Sequence, residues 1–275
     1  MPLVTMKEML ADARREHRAV GAFNVANYET ALAVFKAAEA EKEPVVVQLY
    51  MRLFDTGKAR DLAPMLRGLA ERASVPVALH LDHGSTEKQA EDALAWGYTS
   101  VMFDGSRLPF AENAARTKAV AARAHAAGAT CEGEIGHVAQ GDETALTDVA
   151  EAVAFAKASG VDALAVSIGT AHGYYKATPK LDIPRCQAIA DALPGVPLVL
   201  HGGSGTPLPD VRRAIEAGIA KVNIATEYLD TFIKASLKVY GDLNGGFVPP
   251  DKLADPIIDA CAAHARRLIA FFAGR

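Results

Sequence analysis

Eight short apolar runs alternate with longer, alanine-rich stretches of helical period along the 275 residues, and this alternation restricts the fold more than any other feature. The predicted strands are Val20–Val25, Val45–Tyr50, Val77–Asp82, Ser100–Asp104, Ala129–Ile135, Ala163–Ile168, Pro197–His201 and Lys221–Ala225. Predicted helices lie at Tyr28–Glu41, Ala59–Ala73, Thr86–Trp96, Phe110–Ala127, Asp148–Ser159, Ile183–Leu193 and Pro207–Ala217, followed by Thr226–Tyr240 and Asp251–Ala273. Gly97, Gly128, Gly160 and Gly218 stand where a left-handed helix C-cap belongs. Eight βα units at nearly even spacing predict an α/β chain folded as one (β/α)8 TIM barrel over residues 1–275. A doubly wound sheet is the competitor, but it usually has fewer strands and a glycine-rich dinucleotide turn after the first. No linker or low-complexity tract divides the chain, and Gly241–Pro250 reads as an exposed loop.

The bulk numbers exclude several classes of partner. A net charge of −4, from 29 basic and 33 acidic residues, leaves no basic footprint for nucleic acid and no polybasic membrane patch. No apolar run is as long as a membrane span, and the segment after Met1 is too polar for a signal peptide. Cys131, Cys186 and Cys261 lack paired spacing, as expected of reduced thiols in a cytoplasmic protein.

In a parallel barrel the strand C-termini share one face, and the active site is built there. The polar residues expected at those ends are Asn24, Gln48, Asp82 with His83, Asp104, Glu132 with Glu134, His172, His201 and Asn223. His83, His172 and His201 each follow an apolar run and are flanked by glycine, so three distant strands can aim imidazoles at one point. Three histidines with a fourth position open are a catalytic zinc arrangement. Asp82, beside His83, can take a proton from carbon acidified by a metal-bound carbonyl; the alternative is that it caps the following helix. His17, His125 and His264 are placed in helices as structural or solvent-facing residues, His80 as a packing or orienting residue, and His137 has no assigned role. The segments HGGSG (His201–Gly205) and NIAT (Asn223–Thr226) read as a phosphate cradle, with Ser204 and Thr226 beside bare backbone amides at a helix start.

Taken together these residues resemble the class II, zinc-dependent ketose-bisphosphate aldolases, especially the tagatose- and fructose-bisphosphate branch. The matching motifs are GAFNV (Gly21–Val25), LDHG (Leu81–Gly84), SVMFDGS (Ser100–Ser106), EGEIG (Glu132–Gly136), GTAHGYYK (Gly169–Lys176), LHGGSG (Leu200–Gly205) and KVNIATE (Lys221–Glu227). The resemblance implies zinc on His83, His172 and His201, and Asp82 as the proton-transferring residue. It implies Asn24 on the substrate chain, and Asp104 with Glu134 at a second metal position. Gly173, Gly202, Ser204, Asn223 and Thr226 would hold the C1 phosphate of a ketose, with a Na+ or K+ ion often nearby. The implied reaction is reversible aldol cleavage, in which zinc polarises the C2 carbonyl and dihydroxyacetone phosphate is released. The resemblance also implies a homodimer or homotetramer.

Three departures gather at the far end of the substrate. The loop His137–Asp148 is short, leaving Glu143 as candidate acid for the C4 hydroxyl. The second strand ends QLYMRL, with Tyr50 in place of a small polar residue and Arg52 as a candidate reader of a different tail. An Asp-Pro-Arg motif of the family reads Asp255-Pro256-Ile257, which removes an arginine suited to phosphate. The expectation is a retained C1-phosphate half and an aldehyde other than the ordinary triose phosphate. A metal-dependent ketose-phosphate epimerase or isomerase, a non-catalytic relative, and an aldolase of a dehydro-deoxy sugar-acid phosphate or sulfo-sugar phosphate are the alternatives.

Overall fold

A computed structural model describes residues 2–138, 145–173 and 178–275. The elements run α1 (Met6–Arg15), β1 (Val20–Asn24), α2 (Tyr28–Glu41), β2 (Val45–Tyr50), α3 (Arg52–Asp55), α4 (Lys58–Arg72), β3 (Val77–Gly84), α5 (Glu87–Ala95), β4 (Ser100–Phe103) and α6 (Phe110–Ala126). They continue with β5 (Thr130–Ile135), α7 (Val149–Ser159), β6 (Ala163–Val166), α8 (Ile183–Ala192), β7 (Leu198–Leu200), α9 (Leu208–Glu216), β8 (Ile219–Ile224), α10 (Thr226–Asp242) and α11 (Pro250–Phe272). The eight strands pair in parallel with their sequence neighbours, and β8 returns to β1, so the sheet is closed. The expected (β/α)8 barrel is the observed fold.

Period-2 alternation sorts the strand residues. One set, including Phe23, Val45, Val47, Leu79 and Leu164, packs outward against the helices in the larger apolar cluster. The other set, Val20, Ala22, Val46, Ala78, Ala163, Ala165, Val199 and Ala220, fills the lower barrel together with Met6, Met9, Leu10 and Ala13 of α1. Helix α1 is therefore a plug for the barrel floor. Its Arg14 donates to the carbonyls of Ala190, Leu193 and Val196 at the end of α8. Sequence reading overlooked α1 and the single turn α3, and placed His17 in a helix; His17 follows α1 in a left-handed turn with φ 50°. No helix among the described residues is long and apolar enough to cross a membrane.

Candidate active site

The decisive local feature is an irregularity at the end of β3. Adjacent strand residues normally face opposite sides of a sheet, yet Asp82 and His83 both line the same cavity. A register shift between Leu81 and Gly84 against β4 resolves this, with His83 in the left-handed region at φ 53°. A non-glycine residue held there marks backbone the surrounding structure over-determines. Gly84 permits the bulge, since a Cβ on it would lie 2.4 Å from the carbonyl oxygen of Met102. Asp82 does not cap the next helix; Thr86 does, accepting from the backbone N–H of Gln89.

His83, His172 and His201 come together. Each offers a ring nitrogen, and these nitrogens lie within 4.8 Å of one another. His83 Nε2 faces His201 Nδ1 at 2.8 Å, and His172 Nε2 is buried without a hydrogen-bond partner. The remaining nitrogens of two rings are tied to carboxylates: His83 Nδ1 to Asp104 Oδ2 at 2.7 Å, and His201 Nε2 to Glu132 Oε1 at 2.8 Å. Burial, together with charge on His83 and His201, lowers the His172 pKa to about 3, and burial likewise lowers that of His201. Burial opposes charge on His83, but Asp82, Asp104 and Glu134 raise its pKa to about 10. His172 and His201 are held neutral, and His83 would give up its proton to a bound cation; three imidazoles converging inside a ring of acids are a donor set that fits a divalent ion such as Zn2+. His172 departs from the reading as a strand-end residue: β6 stops at Val166, and His172 stands in the loop beyond, between Gly169 (φ 112°) and Gly173 (φ 88°).

A second group, His83 with Asp104 and Glu134, also meets within 4.8 Å. Burial and the neighbouring Asp104 push Glu134 up to about 8, and its Oε2 has no hydrogen-bond partner. Asp104, despite burial, is held well below the usual carboxylate range by the His83 ring and by Ser106. A cation here would let both carboxylates ionise.

Asp82 is gripped from two sides, accepting from Asn24 Nδ2 at 2.8 Å and Asn223 Nδ2 at 3.2 Å, while Gln48 Nε2 donates to Asn24 Oδ1 at 2.8 Å. Burial disfavours its charge, but His83, His201, Lys221 and the Asn24 bond outweigh it and hold the carboxyl below its ordinary value. Beside it opens a cavity of about 270 Å³, lined among others by Gly173, Gly202, Ser204, Asn223 and Thr226. The cradle is less bare than its glycines suggest. Gly203 N–H donates to Asn223 O, Ser204 Oγ accepts from Ala225 N–H, and the Asn223 amide is turned to Asp82. What stays open is the start of α10, whose N-cap is Ala225 and carries no side-chain cap.

Toward the outside, Arg52 lies over the Tyr50 ring, 5.6 Å from its centroid. Burial and the charges of Asp82 and Asp104 raise the Tyr50 pKa, whereas Arg52 and Arg107 oppose them. Arg107, which the sequence reading did not single out, lines an adjoining cavity of about 350 Å³ with Tyr50, Ser85, His137 and His172. His137 Nδ1 sits 3.0 Å from Ser106 Oγ, which donates to Asp104 Oδ1. Glu143 lies outside the described residues. His80 and Lys221 belong to the same barrel end: Lys221 Nζ donates to Glu132 Oε2 at 2.8 Å, and His80 Nε2 is 3.7 Å from that oxygen. The signal for Lys221 was present, because Lys221 and Asn223 stand two apart in an otherwise apolar strand and so share its inner face.

Comparison with known proteins gives the family. The family model described as "Fructose-bisphosphate aldolase class-II" matches residues 4–274. The chain is 40% identical over 277 residues to a fructose-bisphosphate aldolase of Geobacillus stearothermophilus, covering 96% of this chain and 94% of that one. It is 39% identical over 269 residues to a 6-phospho-5-dehydro-2-deoxy-D-gluconate aldolase of Bacillus velezensis, covering 94% and 92%. The crystal structure of the YdjI aldolase from Escherichia coli superposes with a TM-score of 0.88 at 32% identity, covering 98% and 97%. The chain belongs to the class II fructose-bisphosphate aldolase family and is a carbon–carbon lyase.

Proposed function

We propose that this aldolase is zinc-dependent and reversibly cleaves a ketose 1-phosphate with an anionic far end, giving dihydroxyacetone phosphate and an aldehyde other than the ordinary triose phosphate. The observation that carries the reading is the meeting of His83 Nε2, His201 Nδ1 and the unpartnered His172 Nε2 beside Asp82 and the cavity ending at α10. Both relatives' named substrates support the dihydroxyacetone phosphate half of the reading, since each carries a phosphate next to a ketone or latent ketone.

Zinc bound by the three histidines would supply a Lewis acid for the C2 carbonyl. The chain's own residues do the rest. Ser204, Gly202, Gly173 and the first turn of α10 receive the C1 phosphate and fix the register of the sugar. Asn24 and Asn223 aim the ionised Asp82 at C3. Cleavage frees the C4 hydroxyl proton as the aldehyde forms, and Asp82, receiving that proton directly or through Glu143, returns it to C3. Atoms balance without any other reactant. Arg52 and Arg107, flanking Tyr50, face the tail of the aldehyde half. Exposed apolar residues Ile233, Leu237 and Tyr240 along α10 support self-association of the chain.

A screen of ketose 1-phosphates ending in a hydroxyl, a carboxylate or a second phosphate, read by released dihydroxyacetone phosphate, tests the proposal. Turnover should disappear with a chelator and return with zinc. Epimerisation without release of dihydroxyacetone phosphate would refute cleavage. A strong preference for fructose or tagatose bisphosphate would refute the altered far end. Asp82→Ala is expected to keep zinc and lose turnover, whereas His172→Ala should lose zinc affinity; full zinc occupancy in the latter contradicts the ligand assignment.

A further inference from the structure

Beneath the three histidines lies a charged layer that faces neither the cavity nor the solvent. Glu132 of β5, Lys221 of β8 and His80 of β3 are all fully buried inside the barrel. None of them lines the cavities at the barrel mouth. Ionised groups taken out of water destabilise a fold unless they are paired, and even a well-paired buried ion pair is often no better than apolar packing. Such a pair, set just above the apolar lower barrel, calls for a role beyond stability.

The hydrogen bonds suggest one. Glu132 divides its two oxygens: Oε2 accepts from Lys221 Nζ at 2.8 Å, and Oε1 faces His201 Nε2 at 2.8 Å. Among the described residues the other polar atom near that nitrogen is Asn223 Nδ2 at 3.3 Å, itself a donor that also reaches Asp82 Oδ1. Glu132 is thus the acceptor available to an Nε2–H on His201. With the proton on Nε2, the lone pair of His201 sits on Nδ1, the nitrogen that points at His83. Behind the carboxylate, His80 is anchored by its Nδ1 to Ser100 Oγ at 2.8 Å and presents Nε2 toward Glu132 Oε2.

We propose that Lys221 and Glu132 form a positioning relay that selects the Nε2-protonated form of His201, aims its Nδ1 lone pair into the three-histidine site, and so sets the affinity of that site for zinc. Lys221 occupies one carboxylate oxygen and fixes the rotation of the group; the other oxygen then has a single orientation toward His201. The inference rests on the reading of His83, His172 and His201 as a zinc site, and it adds two residues that touch neither metal nor substrate. Carboxylate partners of metal-bound histidines change metal affinity by roughly 10- to 100-fold when removed.

The test compares zinc affinity, by competition with a chromophoric chelator, and thermal stability of the zinc-free protein in four forms. Lys221→Met strands a buried carboxylate, so both readings expect it to lose stability. The double variant Lys221→Met/Glu132→Gln removes the two charges together and should fold about as well as the parent. Its amide can turn an NH2 toward His201 Nε2 and stabilise the wrong tautomer, so its zinc affinity should stay about 10- to 100-fold weaker. Lys221→Arg keeps the charge and the donor and should restore affinity. Parent-like zinc affinity in the double variant would overturn the relay and leave a structural ion pair. Should the variants fail to fold, ring 1H–15N spectra of the zinc-loaded parent decide the matter: His201 must be protonated at Nε2 and metal-bound at Nδ1, and the reverse pattern overturns the proposal. A parent that binds no zinc refutes the metal reading itself, whereas a parent that binds zinc beside unaffected variants refutes only the relay.

Discussion

Gly84→Ala probes the claim that a bulge, not a regular strand end, brings Asp82 and His83 to one cavity. The backbone of Gly84 is not in the left-handed region, so alanine can adopt it. Fewer unfolded conformations would then favour the variant by about 0.4–1 kcal/mol. Against this stands the contact: the new Cβ would lie 2.4 Å from Met102 O and 2.8 Å from Leu81 Cδ2. Met102 is a strand residue paired with Glu132 of β5, so its carbonyl cannot rotate away without disturbing that ladder. Forcing one extra methyl into packed surroundings costs about 1–3 kcal/mol, which exceeds the entropic gain. A net loss of about 1–2 kcal/mol lowers Tm by a few degrees in a chain of this size. The strand must move away from β4, carrying His83 with it, so zinc affinity should fall in parallel. Gly128→Ala is the control. Its φ of 72° also penalises alanine, but nothing lies within 4 Å and it caps α6 far from the histidines. That variant should lose about 1–2 kcal/mol through its backbone alone and bind zinc as the parent does. Calorimetry and chelator competition on both variants suffice. A Gly84→Ala protein as stable as the parent, with unchanged zinc affinity, would refute the argument.

Three further outcomes follow from other parts of the molecule. Replacing Arg107 by alanine should raise KM for a substrate with a carboxylate or phosphate tail more than for one ending in a hydroxyl, because Arg107 lines the cavity beyond Tyr50; an unchanged ratio removes it from the far end. The bidentate pair of Arg116 with Glu87, at 2.7 Å to each oxygen, lowers the Glu87 pKa to about 2. A depressed acid stabilises the fold above its unfolded value near 4.5 and loses that contribution as pH falls toward 2, so the Tm gap between parent and Arg116→Met should shrink over that window. The gap will be modest, since both side chains are about one third exposed; a gap independent of pH contradicts the pairing. On α10, Leu237 is 69% exposed between Ile233 and Tyr240, and Leu237→Lys should lower the mass found by light scattering if that stripe joins copies of the chain.

The barrel and most of the site could be read from the residues because both are written at short range. Apolar runs of five to seven residues announce each βα unit, glycine C-caps punctuate four of them, and LDHG, HGGSG and NIAT each put reactive side chains within four residues of one another. What escaped was set by tertiary contacts. The plug α1 has apolar residues at Met6, Met9, Leu10 and Ala13, a helical spacing, but its charged neighbours made the segment look like a polar lead-in. The end of β3 was placed at Asp82 because nothing local reveals a bulge that depends on the carbonyl of Met102. His172 was assigned to a strand end, whereas its loop is held by Gly169, where a Cβ would meet Lys180 O at 2.5 Å. The Lys221–Glu132 pair spans 89 residues and closes only when the barrel closes.

Those long-range contacts also explain why the site behaves as a unit. Gly202 follows His201 at φ 66°, and a Cβ there would lie 2.4 Å from the carbonyl oxygen of Ala171, the residue before His172. The two histidine-bearing loops therefore press backbone against backbone. Gly203 N–H donates to Asn223 O, and a Cβ on Gly203 would meet that oxygen at 2.7 Å, which locks the same loop to β8. Asn223 in turn holds Asp82. One segment, Gly202–Ser204, thus sets the distance between the histidine site, the Asp82 carboxylate and the open start of α10. On the proposed function, a C1 phosphate that draws this segment toward α10 should move His201 and Asn223 with it. Binding at the proposed C1 end and the placement of the Asp82 carboxylate are then mechanically linked.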